Sequence, residues 1–355
     1  MKQRQRMLAV IRGEQHDRVP FVQYDNMVAP NEVVWETIGD DAIGILRWSS
    51  VHRVDHPNCR IITEEALIDG KPGWRDTLVT PVGSLTQERT RVSGLGVSAY
   101  TKHYVETMAD YAVLRAYLRD AVISLDVEPA ARAHRELGDR GLPHVSLART
   151  PYQQMWIQWA ALTDFVLHLA DDPGIVGECM ELMRQQVLEM ARVAREASRH
   201  VLLPYVDMPD NITAGPIGTS QYRRWCLPTY RQVAEILADV GVGVYVHMDG
   251  NLRALWPLLD EWPPQGIDSL APPPDNDTRV ADVVARWPET RIQVNFPSSV
   301  HWADEATIYA QATELLQEGG HTGRLQIQVS EDPPPGRWRV SYPAIARAVA
   351  DFGRP

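Results

Sequence analysis

Cysteine is scarce in this chain, with three among 355 residues, and Cys59, Cys179 and Cys226 are far apart with no C-x-x-C spacing. An odd, scattered set excludes a disulfide framework and a thiolate metal cluster, and reads as reduced, buried thiols. An excess of basic residues is also missing. The 35 Lys and Arg are outnumbered by 46 Asp and Glu, giving a formal charge of −11, which repels nucleic-acid backbones and anionic membranes. No apolar run approaches the roughly 20 residues of a membrane span. The basic start Met1–Arg6 leads into Met7–Ile11, too short an apolar run for a signal peptide. The expectation is a cytoplasmic protein that binds neither nucleic acid nor membrane. No nucleophile elbow, phosphate loop or dinucleotide fingerprint is present either: Gly241-Val-Gly243 precedes a strand instead of joining a strand to a helix.

What the chain does contain is alternation. Short β-branched runs ending in polar residues, each followed by a stretch of helical period, recur along its length. The strand expectations are Val19–Val22, a segment within Ile43–Val54, His144–Leu147, Val201–Val206, Val242–Val246, Ile267–Leu270, Arg291–Val294 and Leu325–Val329. Asp172–Ala197, Ser220–Val240, Leu252–Asp260, Thr278–Arg286, Ala303–Gln317 and Tyr342–Phe352 read as helices, the first opened by Asp171-Asp172-Pro173, the second capped at Thr219 or Ser220. Eight short, mostly apolar strands suit a parallel sheet buried on both faces, and eight βα units close a barrel. The expected fold is a single (β/α)8 TIM barrel over residues 1–355, with a β-hairpin insertion after the second strand at about 59–93. An open doubly wound sheet is the alternative.

In such a barrel the carboxyl ends of the strands share one mouth, where chemistry is placed. Those ends deliver Tyr24, Asp25 and Asn26; Arg149; Tyr205, Asp207, Asp210 and Asn211; His247, Asp249 and Asn251; Asn295; and Ser330, Glu331 and Asp332. The sharpest local signal is Val244-Tyr-Val-His247-Met-Asp249-Gly-Asn251. As an i, i+2 pair, His247 and Asp249 point to the same side, where an imidazole and a carboxylate can hold a cation or a substrate. The plainer alternative has His247 bonded to a carbonyl and Asp249 capping the helix near Leu252. Alternation also puts Tyr245 on the side of His247, beneath the site.

Several segments together are similar to one family. Arg12-Gly-Glu-Gln-His-Asp-Arg-Val-Pro20, Lys102-His-Tyr104 to Asp110-Tyr-Ala-Val-Leu114, the Asp171-Asp-Pro173 helix start, Val244–Asn251, Pro272–Asp277, Gln293-Val-Asn295 and Leu325–Pro333 resemble the uroporphyrinogen decarboxylase superfamily, in the same order along the chain. The resemblance implies a barrel and two candidate activities. The porphyrin decarboxylases carry paired arginines after the first strand, whereas Gln23-Tyr-Asp-Asn-Met27 has none and one acid. The corrinoid-linked methyltransferases are the closer resemblance. Their zinc is held by a His-x-Cys pair after the fifth strand and a cysteine after the eighth; His247 matches the histidine, and Asp249 and Glu331 stand near the two cysteines.

The resemblance therefore implies a methyltransferase or demethylase acting on a small methylated substrate. His247, Asp249 and Glu331 would be ligands of a divalent metal, zinc or a harder ion, because carboxylates replace thiolates. His247, Asp207 and Tyr205 would be catalytic, and Tyr24, Asp25, Asn26, Arg149, Asn211, Tyr245, Asn251 and Asn295 would bind substrate. A corrinoid or cobalamin would carry the methyl group, with a corrinoid protein as partner and homo-oligomer formation open. The alternatives are a decarboxylase or lyase acting on a small acid, and an inactive barrel that binds a ligand.

Overall fold

The computed structural model describes residues 1–92 and 98–353. Eight parallel strands form one sheet: β1 (Phe21–Tyr24), β2 (Gly44–Ser49), β3 (Gly141–Val145), β4 (Tyr205–Met208), β5 (Gly243–His247), β6 (Gly266–Leu270), β7 (Arg291–Asn295) and β8 (Leu325–Val329). The strands are ordered β4-β5-β6-β7-β8-β1-β2-β3. The ring closes where the Leu147 amide donates to the Asp207 carbonyl at 2.9 Å beside a parallel Ser146–Asp207 bridge. This is the (β/α)8 barrel, and closure excludes the open sheet.

Period-2 alternation sorts each strand between two environments. Val244, Val246, Ile267, Ile292, Val294, Ile327 and Val329 face outward into the main core beneath the helices. Inside the barrel, a small apolar group of Val22, Tyr24, Leu46 and Leu142 rests on Met7 of the first helix, Gln3–Arg12. Above it the interior becomes polar, with His144, Asp207, His247, Asp268 and Gln328 all buried.

Several expected boundaries move. β1 starts at Phe21 instead of Val19, β3 at Gly141 instead of His144, and β4 at Tyr205 instead of Val201. Ahead of β1 and β4, single buried residues, Val19 and Leu203, extend the apolar run without joining the sheet. The expected hairpin at 59–93 is an antiparallel meander of four strands, Arg60–Ile68, Lys71–Thr80, Gly83–Arg91 and Ser98–Lys102; Ser93, its expected end, lies outside the described residues. Its first turn places Asp69 and Gly70 at φ 50° and 75°, the left-handed pair that a two-residue Asp-Gly hairpin requires. A separate two-stranded ribbon pairs His52–Asp55 with Val122–Leu125.

The helix Pro173–Ala197 begins as expected, the Asp172 carboxylate accepting the Gly174 and Ile175 amides. The next helical stretch starts at Ala214, six residues before the expected cap, so Thr219 and Ser220 lie inside it. Cys59, Cys179 and Cys226 are free and buried. No helix among the described residues is long and apolar enough to cross a membrane.

Candidate functional site

At the carboxyl end of β4, Pro209 and Asp210 turn the chain outward. Asp210 is fully buried and accepts the Thr150 amide at 2.6 Å, the Thr150 hydroxyl at 2.9 Å and the Tyr230 hydroxyl. Burial nevertheless dominates and raises its carboxyl to about 6, although these bonds and the charge of Arg149 oppose the shift. The effect is to fix the loops after β3 and β4 against each other. They then present Arg149 and Asn211 to the mouth: Arg149 donates to the Asn211 carboxamide oxygen at 3.0 Å, and Asn211, held at φ 51°, donates to Asp249 at 2.7 Å.

Asp249 continues a polar chain into the barrel. Its carboxylate faces His247 Nε2 at 3.5 Å, while His247 Nδ1 lies 3.0 Å from Asp268 Oδ2. The same oxygen accepts the Tyr24 hydroxyl at 3.1 Å, and Gln328 donates to Asp268 Oδ1 at 2.7 Å. One step deeper, His144 Nε2 is 3.5 Å from Asp207 and 3.7 Å from Asp268, with its Nδ1 2.9 Å from the Tyr205 hydroxyl. The exposed ring of Trp48 meets His144 edge-on at 4.4 Å and Tyr24 at 5.1 Å.

The charges in this interior compensate one another. Burial alone would favour neutral His247, but its bonds to Asp249 and Asp268 and their charges raise it well above its ordinary value, so it is an imidazolium. Burial likewise opposes charge on His144, and Asp207 and Asp268 outweigh it. For Asp268, burial is overcome by the His247 bond, the charges of His144 and His247 and the Gln328 bond, which bring its carboxyl down to about 2. Asp207 shifts the other way. Burial prevails over His144 and raises its pKa, and neither carboxylate oxygen has a hydrogen-bond partner. Burial, then the charge of Asp268, keeps Tyr24 and Tyr205 as phenols.

The structure therefore brings Tyr24, Arg149, Tyr205, Asp207, Asn211, His247 and Asp249 into one connected network. The other expected residues are engaged differently. Asp25 is tied to Arg47 at 2.9 Å and Asn31 at 2.6 Å, and Asn26 and Asn31 exchange amide bonds, so both brace the loop after β1. Asn251 is exposed, its amide on Thr213. Asn295 holds the Ser330 amide at 3.0 Å. Tyr245 stacks on Tyr205 at 4.3 Å and borders a cavity of about 720 Å³ at the opposite, amino-terminal end of the barrel. That cavity lacks the paired acids and imidazoles of the mouth.

Glu331 accepts the Ser298 hydroxyl; burial raises its carboxyl, and the charge of Asp249 adds to the rise. His247 bonds a carboxylate, not a carbonyl, and the chain at Leu252 is capped by Asp277 at 2.8 Å, not by Asp249.

Among the described residues, one set offers three ligand atoms within 4.8 Å of one another: His144, Asp207 and Asp268. His144 and Asp268 were not singled out from the sequence. Their signal was an imidazole and an acid inside strands otherwise apolar, in Leu142-Pro-His144-Val145 and Ile267-Asp-Ser-Leu270.

The uroporphyrinogen decarboxylase (URO-D) family model matches residues 158–327. A solved methyltransferase from Methanosarcina mazei superposes with a TM-score of 0.58 over 99% of both chains at 12% identity. A muconate lactonizing enzyme from Klebsiella pneumoniae gives a TM-score of 0.26 at 13% identity, covering 83% of this chain and 77% of that one. No curated protein matches the sequence significantly. The matched segment runs from before β4 into β8, so the later half of this barrel is similar to the uroporphyrinogen decarboxylase family.

Proposed function

We propose that the protein is a methyltransferase or demethylase of the corrinoid-linked type, acting on a small methylated substrate in the barrel mouth. The observation that carries this reading is the composition of the mouth: an imidazolium compensated by two carboxylates, bordered by Tyr24 and the exposed Trp48, without the free arginines that a polycarboxylate would need. Arg47 is committed to Asp25 and Glu136, which leaves Arg149, with one of its donors on Asn211, as a lone cation rather than a basic clamp. Phenol, indole and carboxylate surfaces favour a neutral or cationic ligand, such as an aromatic ether or a methylated amine.

In the demethylating direction, the bond between the methyl carbon and its heteroatom breaks with the electron pair left on the heteroatom. His247 Nε2, the outward-facing nitrogen of the imidazolium, supplies the proton that this atom takes up, and Asp268 and Asp249 hold the ring in place. Tyr205 is a positioning residue, because its hydroxyl is bonded to His144. The donors around the mouth are all nitrogen and oxygen, which suits a hard or borderline ion. A divalent ion bound in the barrel mouth would act as a Lewis acid on the substrate heteroatom. The methyl acceptor would be the corrinoid of a partner protein.

The test is the absorption spectrum of cob(I)alamin or methylcob(III)alamin incubated with the protein and O-, N- or S-methyl compounds. A spectral change that His247→Gln slows roughly 10²- to 10⁴-fold is expected; no change with any donor refutes the reading. One observation favours a second reading, a small-acid decarboxylase or lyase: the Nε of the largely buried Arg149 lacks a partner and suits a carboxylate. Carbon dioxide release unaffected by chelator or cobalamin would establish that alternative.

A further inference from the structure

The deepest layer of the mouth has an unusual hydrogen-bond deficit. His144 and Asp207 have no solvent exposure, yet His144 Nε2 and both Asp207 carboxylate oxygens lack any partner. A buried polar atom left unpaired costs about 1–3 kcal/mol, and more when charged. Two neighbouring buried groups left without partners, His144 Nε2 beside Asp207 Oδ2, call for a further participant.

The spacing identifies what that participant is. His144 Nε2 stands 3.5 Å from Asp207 Oδ2 and 3.7 Å from Asp268 Oδ2, too long for hydrogen bonds, which cluster at about 2.7–3.2 Å. Donors about 2.0–2.2 Å from a four-coordinate ion stand about 3.3–3.6 Å apart. The outer contacts also resemble those of a ligand set. Tyr205 holds His144 through Nδ1, and Gln328 holds Asp268 through Oδ1, which orients each ligand atom from behind. Two carboxylates neutralise a divalent charge, and they come from β4 and β6 with the imidazole from β3, all on the rigid barrel wall.

We infer that His144, Asp207 and Asp268 form a divalent metal site with one nitrogen and two oxygen ligands, leaving coordination positions open. His247 then acts as an outer-sphere donor to Asp268 instead of a ligand. A site without sulfur takes a hard or borderline ion such as Mn²⁺, Fe²⁺, Co²⁺ or Zn²⁺. The site itself stands on geometry, whereas its use in activating a methylated heteroatom rests on the function proposed above.

The experiment loads chelator-treated full-length protein with Mn²⁺, Co²⁺ or Zn²⁺ alone and follows stoichiometry by elemental analysis, Co²⁺ by visible d–d absorption, and folding by thermal melting. About one equivalent is expected, with a Co²⁺ spectrum of nitrogen and oxygen ligation. Asp207→Asn and Asp268→Asn should each weaken binding about 100-fold or more, and Tyr205→Phe, which leaves all three ligands in place, about tenfold. Asp249→Asn and Glu331→Gln should leave the stoichiometry unchanged. If Asp207→Asn fails to fold, the Tyr205→Phe shift and the wild-type Co²⁺ spectrum still decide. Absence of binding by all three ions, or binding lost in Asp249→Asn and Glu331→Gln but kept in Asp207→Asn, overturns the assignment. Spectral inactivity with cobalamin leaves ion binding untouched, so the two proposals fail separately.

Discussion

Asp210 offers a direct test of how the mouth is assembled. Its carboxyl is fully buried and raised to about 6, although Thr150 and Tyr230 all donate to it. A carboxyl raised on folding favours the native state while it is protonated, and that advantage is lost as pH rises through about 6. Two units or so above the unfolded value corresponds to about 3 kcal/mol in full. Between pH 5 and pH 8 the part lost is about 1.4 kcal/mol, the remainder having gone below pH 5.

Asp210→Asn keeps the shape but cannot titrate. It forfeits hydrogen-bond quality at the Thr150 amide and hydroxyl, worth about 1–2 kcal/mol. Urea unfolding of both proteins across this range should show the wild type losing about 1.4 kcal/mol relative to Asp210→Asn between pH 5 and pH 8. A gap that is independent of pH would mean that burial does not control this carboxyl, and the reasoning would fail. If the gap instead widened with pH, the three donors would have prevailed over desolvation.

A Cβ at Gly266 would stand 2.4 Å from the Tyr245 ring, which is stacked on Tyr205, so Gly266→Ala should cost ~1–3 kcal/mol in urea unfolding; an unchanged midpoint would show that the ring can move aside. Asp172→Ala removes the acceptor for the Gly174 and Ile175 amides and should lower stability by about 1 kcal/mol, whereas Asp172→Asn should cost less. In a thermal-shift screen, aromatic ethers or methylated amines should stabilise the protein and porphyrins should not. The reverse order would remove the proposed substrate preference.

Much of the barrel was legible in the sequence because a parallel strand buried on both faces must be short, apolar and followed by a helix, and that rhythm survives without any knowledge of contacts. Leu325–Val329 matched to the residue, and the helix start at Asp171-Asp172-Pro173 was readable from its proline. Strand starts at Val19 and Val201 were misplaced because apolar residues ahead of the strand, buried at Val19 and Leu203 for tertiary reasons, imitate its run. The fourth meander strand, Ser98–Lys102, carries no burial pattern to announce it, since four of its residues are exposed.

The mouth divides in the same way. His247 and Asp249 were visible because two polar residues at i, i+2 after a strand must share a side, and local geometry alone dictates that. Which acid His247 would meet could not be read locally. Asp268 lies on the neighbouring strand, and the register pairing His247 with Asp268 is set by closure of the whole ring. His144 reaches Asp207 and Asp268 only because β3 and β4 join at Ser146 and Asp207. The sequence thus determined the strand rhythm, the sidedness of each polar residue and the negative charge, all consequences of local periodicity and composition. Tertiary structure decided which of those residues are tied into loops, as Asp25 and Asn26 are, and which converge inside the barrel, because convergence depends on the register of strands far apart in the chain.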